Sequence, residues 1–371
     1  MHSYIELSKS KTLKNYDLLR NALPSQTKIM CVLKGNAYGR GISEVVNILE
    51  EKADYFAVDD LYELKLVRRY SKKPTFVLGY LDEGELYESI KWDADISIFN
   101  SERLIMVDKI SQTLSKRPKV HIELDALFGR MGVTIQELSS LLELSKKLKN
   151  VQIFSVYAHF SSVTERKGNT HDEKQLSMFK EAISICKRAG YKKIKHHISS
   201  TSGTLIYENG QNDFVRIGAA LYGMWTSKEI EEISQIKDFT SVMRWVSHIA
   251  QVRLLPQNYP VGYSRAFITK KPTQIAIIPQ GYSDGYDCKL SNKGKVLIHD
   301  QRCKVLGRVS MNMITVDVTG LENVKEGDEV VIIGQQGIEE ITIEELAETI
   351  GTMHAEVTSK LSAVLPRIIT K

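Results

Sequence analysis

The chain has only four cysteines, Cys31, Cys186, Cys288 and Cys303, scattered through 371 residues. No CxxC pair occurs and no spacing suits a metal, which excludes a disulfide framework or a zinc-stapled fold. Reduced thiols in a cytoplasmic protein are the economical reading. Long apolar runs are lacking too. None reaches the about 18 residues of a membrane-crossing helix. Met1-His2-Ser3-Tyr4-Ile5-Glu6-Leu7 has no basic stretch leading into an apolar one, so no secretion signal is expected. Charge of one sign is not concentrated: 50 basic and 45 acidic residues leave a formal net charge of +5. Lys146–Lys147 and Lys192–Lys193 read as solvated helix ends rather than a nucleic-acid track. Internal repeats and low-complexity segments are missing, and no GxGxxG follows a strand to support dinucleotide binding.

What remains is an ordinary globular composition, 42% hydrophobic and 26% charged, with room for two domains. Ser8 to Leu23 reads as a helix, with Leu13, Leu18, Leu19 and Leu23 near one face. Short apolar runs then alternate with amphipathic segments. The runs predict strands at Lys28–Lys34, Tyr55–Val58, Thr75–Tyr80, Ala94–Phe99, Lys119–Leu124, Val151–His159, Ile194–Ser199 and Phe214–Leu221. Helical patterns lie between them, including Ile42–Glu51, Leu61–Tyr70, Glu102–Leu114, Gln136–Leu148 and Leu176–Ala189. Ser101 marks one helix start, and Thr134 with Glu137 suits a capping box at another. Eight such strands argue for parallel pairing and an N-terminal (β/α)8 TIM-like barrel, with an open doubly wound sheet as the alternative. From about Thr240 the texture turns β-rich with Gly, Pro, Asn and Asp turns, predicting a mostly β C-terminal domain. The expected domains are 1–235 and 236–371.

A barrel gathers the C-terminal strand ends into one mouth. There the chain offers Lys34 and Tyr38 after the first strand, Glu123, Asp125 and Arg130 after the fifth, and His159 after the sixth. His197 and Ser199–Gly203 follow the seventh strand, and Arg216, Gly218 and Ala219 the eighth. A lysine at the end of a buried strand can serve as a nucleophile, because low-dielectric surroundings favour its neutral form. Taken alone, Lys34 reads rather as a solvated lysine at a strand exit, because most strand-end lysines do no chemistry. Thr201 with Gly218 and Ala219 suits a phosphate cradle or a plain helix start. Arg216, between Val215 and Ile217, needs a planar acceptor or a carboxylate to justify its desolvation.

Several stretches resemble the alanine racemase family in order along nearly the whole chain. Val32-Leu33-Lys34-Gly35-Asn36-Ala37-Tyr38-Gly39-Arg40-Gly41 is similar to its pyridoxal phosphate attachment motif. Val215-Arg216-Ile217-Gly218-Ala219, Val261-Gly262-Tyr263-Ser264, Ile278-Pro279-Gln280-Gly281-Tyr282-Ser283-Asp284-Gly285-Tyr286 and Gly307-Arg308-Val309-Ser310-Met311-Asn312 are similar to four further family segments. The resemblance implies a pyridoxal 5'-phosphate-dependent racemase of a small amino acid, working as a homodimer with shared active sites. It implies that Lys34 holds the cofactor and serves as base for the D-isomer, while Tyr263 of the partner subunit serves the L-isomer. Arg216 would face the cofactor's ring nitrogen, and His159 would link Arg216 to Tyr263 and lower that phenol below its usual value of about 10. Tyr38, Thr201, Gly218 and Ala219 would hold the phosphate. Arg130 and the Met311 amide would meet the substrate carboxylate.

The chain departs from the family's pattern at several positions. Glu123 stands where many members have a lysine, often carboxylated, and would pair with Arg130 in its place. Asp125-Ala126-Leu127-Phe128-Gly129 replaces a glycine-rich stretch. Ala355 replaces a tyrosine beside the phosphate and the substrate side chain, Asn312 replaces an aspartate, and Thr164 and Cys288 replace a corridor pair. The expected substrate is therefore alanine or something larger or more polar, serine or a basic amino acid. The alternatives are a non-catalytic pyridoxal phosphate protein, against which Tyr263 and the length argue, and a decarboxylase, whose motifs are missing. A plain binding protein is disfavoured by the intact Lys34–Tyr263 pair.

Overall fold

A computed structural model describes residues 2–163, 169–207 and 213–371. The chain divides into two compact units, and Met1–Lys11 and Gly35–Glu44 group with Ser241–Lys371 rather than with Thr12–Lys34 and Val45–Thr240. Strands are numbered from the N-terminus. β1 (Ser3–Ser8), which the apolar pattern did not announce, belongs to the later unit.

The other unit is the barrel. Its strands are β2 (Lys28–Val32), β3 (Tyr55–Val58), β4 (Thr75–Val77), β5 (Ala94–Ile98), β6 (Lys119–Glu123), β7 (Gln152–Tyr157), β8 (Lys195–His197) and β9 (Phe214–Ile217). They pair in parallel in the order β8-β7-β6-β5-β4-β3-β2-β9. The backbone N–H groups of Asp213 and Arg216 donate to the carbonyls of His196 and Ser199 at 3.1 and 3.0 Å, which brings β9 back towards β8 and nearly closes the barrel. All eight expected strands are present, most one to four residues shorter than the apolar runs. β3, β4 and β5 are buried along their whole length, as strands covered on both faces are.

Helix starts follow local chemistry. Thr134 and Glu137 form the expected capping box, worth about 1 kcal/mol. Asn100, not Ser101, caps Ser101–Thr113, because its side chain accepts from the Arg103 N–H. A further helix, Glu83–Lys91, starts with a second box from Asp82 and Glu85. Among the described residues no helix is long and apolar enough to cross a membrane.

In the later unit, β1 pairs antiparallel with β10 (Met243–His248) and parallel with the final strand, Arg367–Thr370. β10 ends at His248, and Ile249–Ala250 separate it from the next strand, Gln251–Leu255. This unit also holds a turn of unusual hand. Gly35, Asn36, Ala37 and Tyr38 all have positive φ, between 53° and 65°. A left-handed turn costs each residue with a Cβ roughly 1–2 kcal/mol. Gly39 N–H to Gly35 O and Gly41 N–H to Asn36 O, both 2.9 Å, close it. The Asn36 side chain accepts from the Ile42 N–H at 3.1 Å, and Arg367 donates twice to the Gly39 carbonyl.

Candidate active site

Within the barrel unit, β2 and β9 lie side by side with Met30 opposite Arg216, so Lys34 and Gly218 leave the same end. Lys34 is exposed just beyond β2, not inside it. Arg216 is 5% exposed and held from several sides. One terminal nitrogen donates to His197 Nδ1; the other donates to the Ala158 carbonyl at 2.7 Å, the Ile198 carbonyl at 3.1 Å and His159 Nδ1 at 3.2 Å. Burial lowers the guanidinium to about 10, so it stays charged at neutral pH. Its Nε–H has no partner among the described residues.

A guanidinium only donates, so His159 Nδ1 must accept and its proton lies on Nε2. Burial first, then the charges of Arg216, Arg130 and Lys34, lower His159 to about 3, which keeps the ring neutral. The structure thus brings Arg216 and His159 together.

Glu123, the last residue of β6, is 5% exposed; it accepts from the Tyr157 O–H at 2.9 Å and lies 3.8 Å from Arg130. Burial outweighs these partners and raises its carboxyl above the ordinary range. The half-exposed Arg130 rests over the Phe128 ring, 4.4 Å from its centroid. The loop before it needs little glycine, because the Asp125 carboxylate accepts from the Phe128 and Gly129 N–H groups at 2.8 and 3.0 Å.

Thr201 and Gly218 are joined, but the Gly218 N–H is spent on Thr201 Oγ1 at 3.1 Å, which leaves the Thr201 hydroxyl hydrogen free to donate. The helical turns at Thr201–Ile206 and Ala219–Tyr222 both begin without a side-chain cap. The buried Ser199 hydroxyl has no partner among the described residues.

The remaining candidates lie in the other unit. Tyr38 ends the left-handed turn, and burial raises its phenol. Tyr263 is 69% exposed in a tight turn whose next two residues, Ser264 and Arg265, have positive φ. Met311 is 55% exposed, and its carbonyl accepts from the Ser283 N–H at 3.0 Å. Asn312 Nδ2 donates to Ser283 Oγ at 2.7 Å, Ala355 sits partly buried in His354–Ser359, and Cys288 is exposed. Thr164 lies outside the described residues.

The family model for the alanine racemase N-terminal domain matches residues 8–225, and the model for the C-terminal domain matches residues 242–369. The chain belongs to the alanine racemase family. It is an amino-acid racemase. Alanine racemase of Leptospira interrogans is 32% identical, over 99% of this chain and 95% of that protein. Among solved structures, alanine racemase of Clostridium difficile superposes with a TM-score of 0.94 at 26% identity, covering 100% of this chain and 96% of that one. Alanine racemase of Bacillus anthracis with bound L-Ala-P gives 0.94 at 28% identity, covering 100% and 95%.

Motif reading missed a polar interior. Asp95, His121 and Ser155 join His197 in a buried, hydrogen-bonded set inside the racemase barrel, with the Tyr157 ring stacked on His197. Their signal was available in part: on β5 and β6 the polar residues fall two apart (Asp95/Ser97, Lys119/His121/Glu123), which puts each set on one face.

Proposed function

We propose that the protein is a pyridoxal phosphate-dependent racemase in which Lys34 and Tyr263 of the partner subunit exchange a substrate's Cα proton from opposite faces. On this reading, residues 1–235 carry the cofactor, and residues 236–371 supply the second base across a homodimer acting in the cytoplasm. The donor set fits the cofactor. Two uncapped helical turns, the Thr201 hydroxyl and the orphaned Ser199 hydroxyl suit a phosphate, and the unpartnered Nε–H of Arg216 suits an aromatic nitrogen. That Nε–H, on a guanidinium otherwise fully committed, is the observation that carries the reading. Tyr38 and the Ala219 amide would add further phosphate donors. Gly218 would act through Thr201 rather than through its own amide.

When bound, pyridoxal phosphate supplies an electron sink that makes the substrate's Cα–H acidic. Lys34 takes that proton through its amine, or returns it from the ammonium, on one face, and Tyr263 does the same as phenolate or phenol on the other; racemisation needs both. His159, with its proton on Nε2, donates towards Tyr263 and favours its ionised form. Arg130, steadied by Glu123 and Phe128, orients the substrate carboxylate together with the Met311 amide.

The substrate is alanine or a larger or more polar amino acid, serine or a basic one, because Ala355 leaves room where relatives place a phenol. Racemisation rates across a panel of L-amino acids decide this. A catalytic efficiency for alanine far above all others would refute the wider pocket. The visible absorbance of lysine-attached pyridoxal phosphate should vanish on borohydride reduction and be missing in Lys34→Ala. Tyr263→Phe should abolish racemisation; unchanged turnover would refute the two-base reading.

A further inference from the structure

Behind Arg216 the barrel interior holds polar side chains that neither cofactor binding nor proton transfer, as proposed above, employs. His197, His121 and Ser155 are 0% exposed and Asp95 is 6% exposed. Arg216 donates to His197 Nδ1, so the His197 proton must lie on Nε2. That nitrogen stands 3.3 Å from both Ser155 Oγ and His121 Nδ1. Ser155 Oγ is 2.6 Å from His121 Nδ1, and His121 Nε2 is 3.3 Å from Asp95 Oδ2. The same carboxylate oxygen accepts from the Tyr55 O–H at 2.7 Å, and Lys119 Nζ donates to Tyr55 at 3.3 Å.

One assignment of protons satisfies every contact: Arg216 to His197, His197 to Ser155, Ser155 to His121, His121 to Asp95. Among the described residues no carboxylate forms a salt bridge with Arg216. We infer that Asp95 is a positioning residue for Arg216, the terminal acceptor of a one-way hydrogen-bond chain through His121, Ser155 and His197. Burial holds His197 well below its ordinary value, and it lowers His121 despite the opposing pull of Asp95, so both rings stay neutral. Phe76 stacked on His121 at 4.1 Å and Tyr157 stacked on His197 at 5.1 Å fix the ring planes.

With every donor pointing away from Arg216, the chain draws on its charge but has no proton to return to it. The guanidinium is thereby kept a fixed hydrogen-bond donor, with Nε–H the group left over. The link to catalysis rests on the proposed place of Arg216 beside the cofactor; the direction of the chain does not.

Nitrogen-15 spectra of histidine-labelled, cofactor-free protein test the chain without any turnover. His121 and His197, assigned through His121→Gln and His197→Gln, should both be neutral Nε2–H tautomers across the neutral pH range. An Nδ1–H tautomer or a protonated ring at either position would overturn the inference. In the holoenzyme, Asp95→Leu should lower kcat by about tenfold to a hundredfold, the scale of a lost charged hydrogen bond, with KM little changed. Asp95→Asn keeps an acceptor oxygen and should restore most of that loss; equal loss in both variants would also overturn it. Should Asp95→Leu not fold, Ser155→Ala serves. His197 Nε2 still faces His121 Nδ1, so both tautomers should persist, and a switch in either would overturn the chain. The expected tautomers in a protein without racemase activity would refute the proposed function alone.

Discussion

Tyr157→Phe tests the energetics of the barrel interior with little disturbance of shape. Phenylalanine keeps the ring contacts to Phe76, His197 and the Arg216 guanidinium, so only the hydroxyl is removed. That hydroxyl donates to buried Glu123 at 2.9 Å and bonds Ser97 at 2.8 Å. A hydrogen bond to a charged group contributes about 1.5–3 kcal/mol and a neutral one about 0.5–1.5, so the loss should be about 2–4 kcal/mol at neutral pH. Arg130 contributes little in compensation, because it is half exposed and 3.8 Å away. The loss should also depend on pH. Glu123 titrates above the ordinary carboxyl value in the folded protein, so its contribution is fully present below the unfolded value and declines as pH rises through the folded one. Removing the Tyr157 donor raises the folded value further, so the variant's deficit should grow from acidic to neutral pH. Urea unfolding of cofactor-free protein at several pH values measures this. In a Glu123→Gln background the cost of Tyr157→Phe should fall by about 1 kcal/mol or more. A deficit below about 0.5 kcal/mol, or one indifferent to both pH and Glu123→Gln, would refute the reasoning.

Two further outcomes are expected. At Gly39, with φ at +82°, an added Cβ would lie 2.0 Å from the Thr358 carbonyl oxygen. Gly39→Ala should therefore cost more than about 2 kcal/mol in thermal or urea unfolding. His159 titrates near 3 when folded, so its contribution is complete above the unfolded value of about 6.5 and is lost as pH falls towards 3. His159→Gln should flatten the acid limb of the stability curve by up to about 1.4 kcal/mol per pH unit, and an unchanged slope would contradict the buried neutral ring.

The barrel was legible because short, largely apolar runs alternate with amphipathic segments, and each of the eight runs contains a strand. The N-terminal strand was not. Its alternating residues Ile5 and Leu7 are too few to register a period, and what makes them a strand is Met243–His248, far along the chain. The site was legible where a single residue stood out against its neighbours, as Arg216 does between Val215 and Ile217. Partner choices inside the site were not, since only coordinates show the Gly218 N–H turned to Thr201 rather than outward. The polar interior sat between these cases. Its two-residue spacing was visible on β5 and β6, but attention to strand ends passed over residues in mid-strand.

The pairing of β1 bears on the order in which the protein can be made. Ser3–Ser8 leaves the ribosome well before its partners, Met243–His248 and Arg367–Thr370. At about 5–20 residues per second the first partner follows roughly ten to fifty seconds later, and the second later still. All eight barrel strands are synthesised within that interval and can dock while β1 waits with both edges unpaired. Chaperone binding during translation is therefore expected to concentrate on nascent chains that have completed the barrel but not yet Arg367–Thr370, and a chain truncated before Arg367 should expose one edge of β1 permanently.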